Sequence, residues 1–107
     1  MIVVIGRVRT TPDRRGALVG VARTMCAASR GDDGCLGYRF YADTEQPDHF
    51  VFVEEWADDV ALQAHFARPH TTTFMAAIAD LVDGPADVSF HTVASTRRLG
   101  RKGLVDG

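Results

Sequence analysis

The segment from Trp56 to His70 holds the residues of this chain that are best suited to acid–base chemistry. It contains the only tryptophan and two of the four histidines. An imidazole titrates near neutral pH, so a histidine that faces an apolar cleft is a natural general base for a weakly acidic substrate. His65 falls on or near the buried stripe of the helix predicted here. It is either a core residue whose hydrogen bonds are satisfied or the general base. We take His65 as the candidate base.

A glutamate between two large aromatics is the second chemical feature. Phe52, Glu54 and Trp56 alternate along a predicted strand, so their side chains share one face. A buried carboxylate needs a hydrogen-bond partner, and a helix N-terminus or a histidine would supply one. Glu54 is therefore a candidate orienting partner for His65. Trp56 ends the strand, where it is either a core aromatic or a stacking wall of the cleft.

The second histidine of the segment, His70, has a weaker case for chemistry. It follows Pro69, where its imidazole can cap a new helix, and we interpret it as a helix anchor at the edge of the substrate site. His65 and His70 are separated by a proline, and no cysteine or carboxylate near them in the sequence completes a metal-ligand spacing. The sequence therefore predicts no metal site.

The composition excludes several other classes of function. The chain has 107 residues and a formal net charge of −2, which fits one domain with no general attraction to nucleic acid or anionic membrane. It has no apolar run long enough to span a bilayer, no phosphate-binding glycine loop and no basic aromatic patch, and its N-terminal segment is not expected to be a secretory leader. Cys26 and Cys35 are expected to be reduced thiols in a cytoplasmic protein.

The elements that must position these residues follow the order βαββαβ, with the second helix broken at a proline, as in a ferredoxin-like α+β unit. Residues 1–96 are predicted to form this domain, and 97–107 an irregular basic tail. The predicted elements, in chain order, are a strand at 2–10, a helix from an N-cap at Thr11 to the loop 29–34, strands at 35–43 and 49–56, a helix capped by Asp58 that runs through Phe66, a helical stretch from Pro69 to near Gly84, and a strand at 86–95.

The strands predict an association surface. On the first strand, Val3 and Ile5 alternate with Val4 and Val8, and 49–56 shows the same double pattern. Both faces of the sheet are therefore largely apolar, yet the helices can cover only one. An open apolar face of this size usually marks an interface. We predict a homodimer in which two sheets pack face to face.

The segment GCLGYRFYADTEQPDHFVFVEEWADDVALQAHFARPH, residues 34–70, resembles the antibiotic biosynthesis monooxygenase superfamily. It is most similar to the small bacterial quinol monooxygenases, which share the Gly-Cys entry, the hairpin, Glu-x-Trp, the capped helix, and the Ala-His and Pro-His pairs. The resemblance covers roughly residues 1–95. It implies the dimeric α+β barrel fold.

The resemblance also implies a chemistry. Similar members oxidise electron-rich phenols or quinols with O2 and use neither a metal nor a flavin, because a deprotonated substrate can pass electrons to O2 itself. The protein then supplies a dry pocket, a proton acceptor and orientation. On this basis the implied catalytic residues are His65 as base, Glu54 as its orienting partner and Trp56 as a wall. The implied substrate-binding residues are Phe52, Phe66, Phe74, Met75 and His70.

Other branches of the superfamily leave alternatives. The haem-ligating histidine of the haem-degrading branch falls on Met75, so no haem is expected. A third branch isomerises or degrades a phosphorylated autoinducer sugar, and the C-terminal segment LVDGPADVSFH resembles it. A small-molecule isomerase that uses the same cleft, and a non-catalytic ligand-binding dimer, therefore stay open beside the monooxygenase.

Overall fold

The computed structural model describes residues 1–107 and has the expected βαββαβ order, followed by a short hairpin. Its elements are β1 (Ile2–Arg9), α1 (Arg15–Ser29), β2 (Cys35–Ala42), β3 (His49–Trp56), α2 (Asp59–Phe66), α3 (Pro69–Ile78), β4 (Asp87–Thr92), β5 (Arg97–Gly100) and β6 (Gly103–Asp106). The first four strands form one antiparallel sheet in the order β2-β3-β1-β4. The ferredoxin-like α+β prediction is confirmed.

One face of this sheet carries the core. Val4, Phe52 and Trp56 point to this face and are nearly or fully buried. They pack against buried side chains from all three helices, among them Met25 of α1 and Leu62 of α2. Each such side chain contributes about 1.5–3 kcal/mol on burial. The core therefore fixes α2 and α3 above the strand that carries Glu54.

The opposite face of the sheet has no helix over it. Val3, Ile5 and Val53 lie on this face and are only partly buried. Ile5 and Val53 are direct cross-strand neighbours at its centre. The double apolar pattern of the strands therefore corresponds to one covered and one open face.

The helix boundaries differ from the prediction at α1 and α3. The hydroxyl of Thr11 donates to Asp13 Oδ1 at 2.6 Å rather than capping a helix, and α1 begins only at Arg15. Helix α3 ends at Ile78, because the backbone then turns and Asp83 N donates to Arg9 O at 2.7 Å. None of the three helices is long and apolar enough to cross a membrane.

The predicted boundaries of α2 are confirmed. The side chain of Asp58 accepts a hydrogen bond from Ala61 N at 2.9 Å, as an N-cap does. The helix ends at Phe66, and Pro69 opens α3 at a position where its missing N–H costs nothing. The sequence signals were strong here because cap and proline act locally.

The prediction of an irregular C-terminal tail is wrong. Strands β5 and β6 pair as an antiparallel hairpin, and Gly103 adopts a φ of 123° at its turn. Leu99 pairs with Leu104, and both side chains are exposed. The basic residues around the turn obscured the alternation of apolar residues in these short strands, so the sequence pattern did not indicate a hairpin. The domain boundary at residue 96 stays a prediction.

Candidate functional site

A largely apolar cavity of about 290 Å³ lies between the sheet and helices α2 and α3. It opens beside β4, where Val88 and Phe90 are about half exposed. The only polar side chains that line it are Tyr38, Glu54, His65 and Thr71. Four of the predicted substrate-binding residues also line it: Phe52, Phe66, Phe74 and Met75.

His65 connects this cavity to a buried carboxylate behind it. Its side chain is 2% exposed, and Nδ1 lies 2.9 Å from Asp32 Oδ2. Nε2 forms no hydrogen bond within the chain, and His65 is one of the residues that line the cavity. Because an ionised carboxylate only accepts, Nδ1 carries the ring proton and Nε2 keeps its lone pair. Burial lowers the pKa of His65, although Asp32 opposes this.

Asp32 is the site residue that the sequence analysis missed. It lies in the loop between α1 and β2, and its side chain is only 5% exposed. Burial disfavours its charge, but hydrogen bonds from His65 and His70 outweigh this and lower the pKa of Asp32. It is therefore a buried anion behind the His65 ring. No spacing signal could find it, since it lies far from His65 in sequence and has the exposed Asp33 as neighbour.

The prediction that Glu54 orients His65 is wrong. Asp32 occupies Nδ1 of His65, while Glu54 Oε1 accepts a hydrogen bond from Trp56 Nε1 at 3.0 Å. Glu54 instead lines the cavity with its own carboxyl group. Burial raises the pKa of Glu54 against the opposing hydrogen bonds from Trp56 and Tyr38. Burial also raises the pKa of Tyr38, which stays a neutral phenol.

Trp56 is a core aromatic and not a wall of the cavity. It is fully buried and does not line the cavity. Its ring packs on the His65 ring at a centroid distance of 4.4 Å, and its N–H holds Glu54. Because it ends a central strand under α2, its side chain has no path to the cavity surface. Trp56 therefore fixes the two ionisable groups without touching the space where a substrate would lie.

His70 lies behind His65 and not in the cavity, which contradicts its expected contact with substrate. From the first turn of α3, its Nε2 contacts Asp32 Oδ2 at 2.9 Å. It therefore anchors α3, as expected, but does so through a side chain of another element. Asp32, His65 and His70 also place three metal-type donor atoms within 4.8 Å of one another. Asp32 is the third donor, which the sequence analysis did not find.

A protein-family model described as antibiotic biosynthesis monooxygenase matches residues 1–77 of this chain. The matched range contains Asp32, Glu54 and His65, and it ends within α3. The cavity's rim on β4 lies outside it. The match therefore covers the proposed acid–base groups and most of the sheet.

Individual relatives agree with the family match. The uncharacterized protein sll1783 of Synechocystis is 33% identical over 98 residues, which are 92% of this chain and 67% of that protein. "Putative monooxygenase Rv0793" of Mycobacterium tuberculosis is 30% identical over 88 residues, which are 82% of this chain and 86% of that protein. Its solved structure superposes with a TM-score of 0.83 at 27% identity, covering 89% of this chain and 96% of that one. "Probable quinol monooxygenase YgiN" of Escherichia coli K12 is 27% identical over 88 residues, which are 73% of this chain and 85% of that protein.

Proposed function

Because the chain belongs to the antibiotic biosynthesis monooxygenase family, we propose that it oxidises a small, electron-rich aromatic or quinol-like substrate with O2 and without a cofactor. The observation that carries this proposal is the imidazole of His65, which lines an apolar cavity and has no hydrogen bond on Nε2, while Nδ1 is held by a buried carboxylate. A base so placed can take a proton from a phenol in a dry site.

The cavity supports a substrate of this chemical class. Its volume of about 290 Å³ is close to the lower end of small-molecule sites and suits one or two fused aromatic rings. Phe52 and Phe74 supply aromatic contacts, while Glu54 and His65 are the groups that could bind hydroxyls. The Escherichia coli relative named as a quinol monooxygenase supports the quinol class.

The proposed reaction balances without an external reductant. His65 Nε2 takes a phenolic proton, and the resulting anion passes electrons to O2 and forms a ring-bound peroxide. Glu54 protonates the distal peroxide oxygen, the O–O bond breaks, and the ring carbon loses its hydrogen as a proton. A dihydroxynaphthalene and O2 thereby give a hydroxynaphthoquinone and water. Burial raises the pKa of Glu54 and lowers the pKa of His65, so it favours the neutral carboxylic acid and the neutral imidazole, the proton-donating and proton-accepting forms that this reaction needs.

Oxygen uptake with a dihydroxynaphthalene probe tests the function. We expect His65→Ala to lose about 10²- to 10⁴-fold in turnover, the usual contribution of a general base. Gln63→Ala is the matched control, because Gln63 is an exposed residue of the same helix outside the cavity and should keep the original rate. Unchanged turnover in a folded His65→Ala variant would contradict the role of His65.

The same acid–base pair favours one second candidate function. A base and an acid that line one cavity can also move a proton between two carbons of a substrate, as an isomerase of the autoinducer-processing type does. Such an enzyme would turn over its substrate without O2, whereas the monooxygenase would stop under anaerobic conditions. Saturable ligand binding with no turnover in either atmosphere would indicate a non-catalytic binding protein.

The proposed assembly is a homodimer in which the open sheet faces of two copies form a dimeric α+β barrel. Ile5 and Val53 lie at the centre of that face and are only partly buried in the single chain. Arg7 and Asp87 lie near its edge and form a 4.0 Å ion pair. An apolar centre with a polar rim is the usual anatomy of a protein interface.

The proposed location is the cytoplasm. Cys26 and Cys35 are both free thiols. Burial raises the pKa of each, so neither is an activated nucleophile. Two unpaired cysteines are typical of a reducing compartment.

A further inference from the structure

Asp32, His65 and His70 bring donor atoms from three separate elements to one point. Asp32 Oδ2 lies 2.9 Å from His65 Nδ1 and 2.9 Å from His70 Nε2. All three donor atoms lie within 4.8 Å of one another. Two imidazoles and one carboxylate are a donor set that first-row transition metal ions bind. Of these three residues, only His65 also lines the apolar cavity.

The distances from Asp32 Oδ2 to the two ring nitrogens are compatible with a shared metal ion as well as with hydrogen bonds. An ion bonded at about 2.1 Å to two donors that are 2.9 Å apart holds them at an angle of about 90°. Ligands at this angle occupy neighbouring positions of an octahedral ion, and the remaining positions then belong to water.

Asp32 also has an oxygen that accepts no hydrogen bond within the chain. Its Oδ1 makes no hydrogen bond although the side chain is only 5% exposed. A buried carboxylate oxygen without a hydrogen bond is costly, and a directly bound cation would lower that cost. Arg68 Nε is 3.4 Å from Oδ1, but its side chain is 57% exposed and can turn into solvent. A cavity of about 270 Å³, lined by Asp32, His65 and Arg68 among others, gives an ion access to the cluster.

We propose that Asp32, His65 and His70 form a binding site for one divalent first-row transition metal ion, with water completing its coordination. The ion takes the place of the two hydrogens that the ring nitrogens share with Asp32. Each imidazole stays neutral, and its proton moves to the other ring nitrogen. The site stands on this donor cluster and does not depend on the proposed oxidation.

Titration of the metal-free full chain with Co²⁺ alone tests the site, because protein-bound Co²⁺ absorbs visible light. We expect saturation at one ion per chain. His70→Phe removes a ligand, so it should weaken binding by more than the roughly 10- to 100-fold that loss of an outer-shell partner costs. Arg68→Ala leaves all three donors in place and removes a nearby positive charge. It should bind Co²⁺ more tightly than the wild type.

The two histidines outside the cluster provide the matched control. A double variant, His49→Phe with His91→Phe, should keep the wild-type Co²⁺ titration curve, since neither residue belongs to the donor set. No saturable binding by the wild type or by Arg68→Ala would overturn the proposal. Equal binding by His70→Phe, or loss of binding in the double variant, would overturn it as well. If His70→Phe does not fold, the Arg68→Ala comparison still decides the matter.

Metal binding would also act on the proposed oxidation, and this step rests on that function. An ion on Nδ1 of His65 leaves the remaining ring proton on Nε2, which then has no lone pair for a substrate proton. Zn²⁺ should therefore inhibit O2 uptake over the concentration range in which it binds. Binding without inhibition would keep the metal site and refute His65 as base. Absence of binding would refute the metal site and leave the His65→Ala comparison as the test of the base.

Discussion

At the scale of single residues, Asp32 decides whether His65 is a base or only a buried histidine. Its carboxylate holds Nδ1 and stabilises the imidazolium that forms when Nε2 takes a proton. Asp32→Asn keeps the size but removes the charge, so we expect kcat to fall by as much as about 10²- to 10⁴-fold. KM should change little because Asp32 does not line the cavity. Asp33→Asn changes the exposed neighbour and should leave both constants unchanged.

A fall in kcat with little change in KM distinguishes this role of Asp32 from a purely structural one. A variant that merely loosens the fold would raise KM and lower thermal stability together with kcat. Equal losses in Asp32→Asn and Asp33→Asn would contradict the specific role of Asp32.

Glu54 gives a prediction about stability and pH. Burial raises its folded-state pKa above the ordinary 4.5, so the folded protein keeps a proton that the unfolded chain has released. Its contribution to stability is therefore fully present below about pH 4.5 and is lost as the pH rises through the folded-state pKa. Glu54→Gln removes this titration. The free energy of unfolding of the wild type, relative to Glu54→Gln, should decline with rising pH.

Urea denaturation of both proteins from about pH 4 to about pH 7 measures this difference. The result would contradict the prediction if the relative stability of the wild type rose over that range. Such a rise would mean that the hydrogen bond from Trp56 stabilises the carboxylate more than burial destabilises it.

The residue types of the site were predictable from the sequence, but their pairing was not. His65 and Glu54 both line the cavity. Their faces were predictable because the repeat of a helix or a strand depends only on the local sequence. The partner of His65 was not predictable, because Asp32 belongs to a loop whose position depends on the whole fold. Glu54 had a partner two residues away, Trp56, on the same face. Local periodicity assigns faces, whereas contacts between elements need coordinates.

At the scale of elements, the loop that carries Asp32 depends on one glycine. Gly34 has a φ of 79°, and a Cβ there would overlap the Cβ of Ala61 on α2. Its carbonyl also accepts from Ala57 N at 2.8 Å, which ties the loop to the start of α2. Gly34→Ala should therefore cost about 1–3 kcal/mol for the left-handed backbone and a further cost of similar size for the overlap.

Thermal or urea unfolding measures the effect of Gly34→Ala, and Gly20→Ala is the matched control. Gly20 lies within α1 and a Cβ there would meet nothing within 4 Å, so alanine should stabilise by about 0.5–1 kcal/mol. We also expect Gly34→Ala to lose turnover, because moving the loop separates Asp32 from His65. Wild-type stability in Gly34→Ala would contradict the tight contact between loop and helix.

Element boundaries show the same limit of sequence reasoning. The cap at Asp58 and the break at Pro69 were predicted because each acts through its own backbone. The start of α1 was not, because Thr11 uses its hydroxyl on Asp13 instead of on a backbone N–H. The C-terminal hairpin was also missed, since its strands are only four residues each.

At the scale of the whole molecule, the two faces of the four-stranded sheet have different surroundings. The covered face builds the core and the cavity, and the open face carries Ile5 and Val53 in the middle of the two central strands. Strands with an apolar face toward solvent are an association hazard unless a partner covers them. In the proposed dimer, the open face of a second copy covers this face, and one substitution can test this.

Ile5→Lys places a charge at the centre of the open face. In a dimer the charge would be buried without a partner, which is strongly unfavourable, so the variant should sediment as a monomer. In a single chain the same side chain would reach solvent and the fold would persist. Val60→Lys is the matched control, since Val60 is 78% exposed on α2 and should leave the assembly unchanged. Sedimentation velocity at low micromolar concentration measures both, and a wild-type chain that sediments as a monomer there would rule out the dimer.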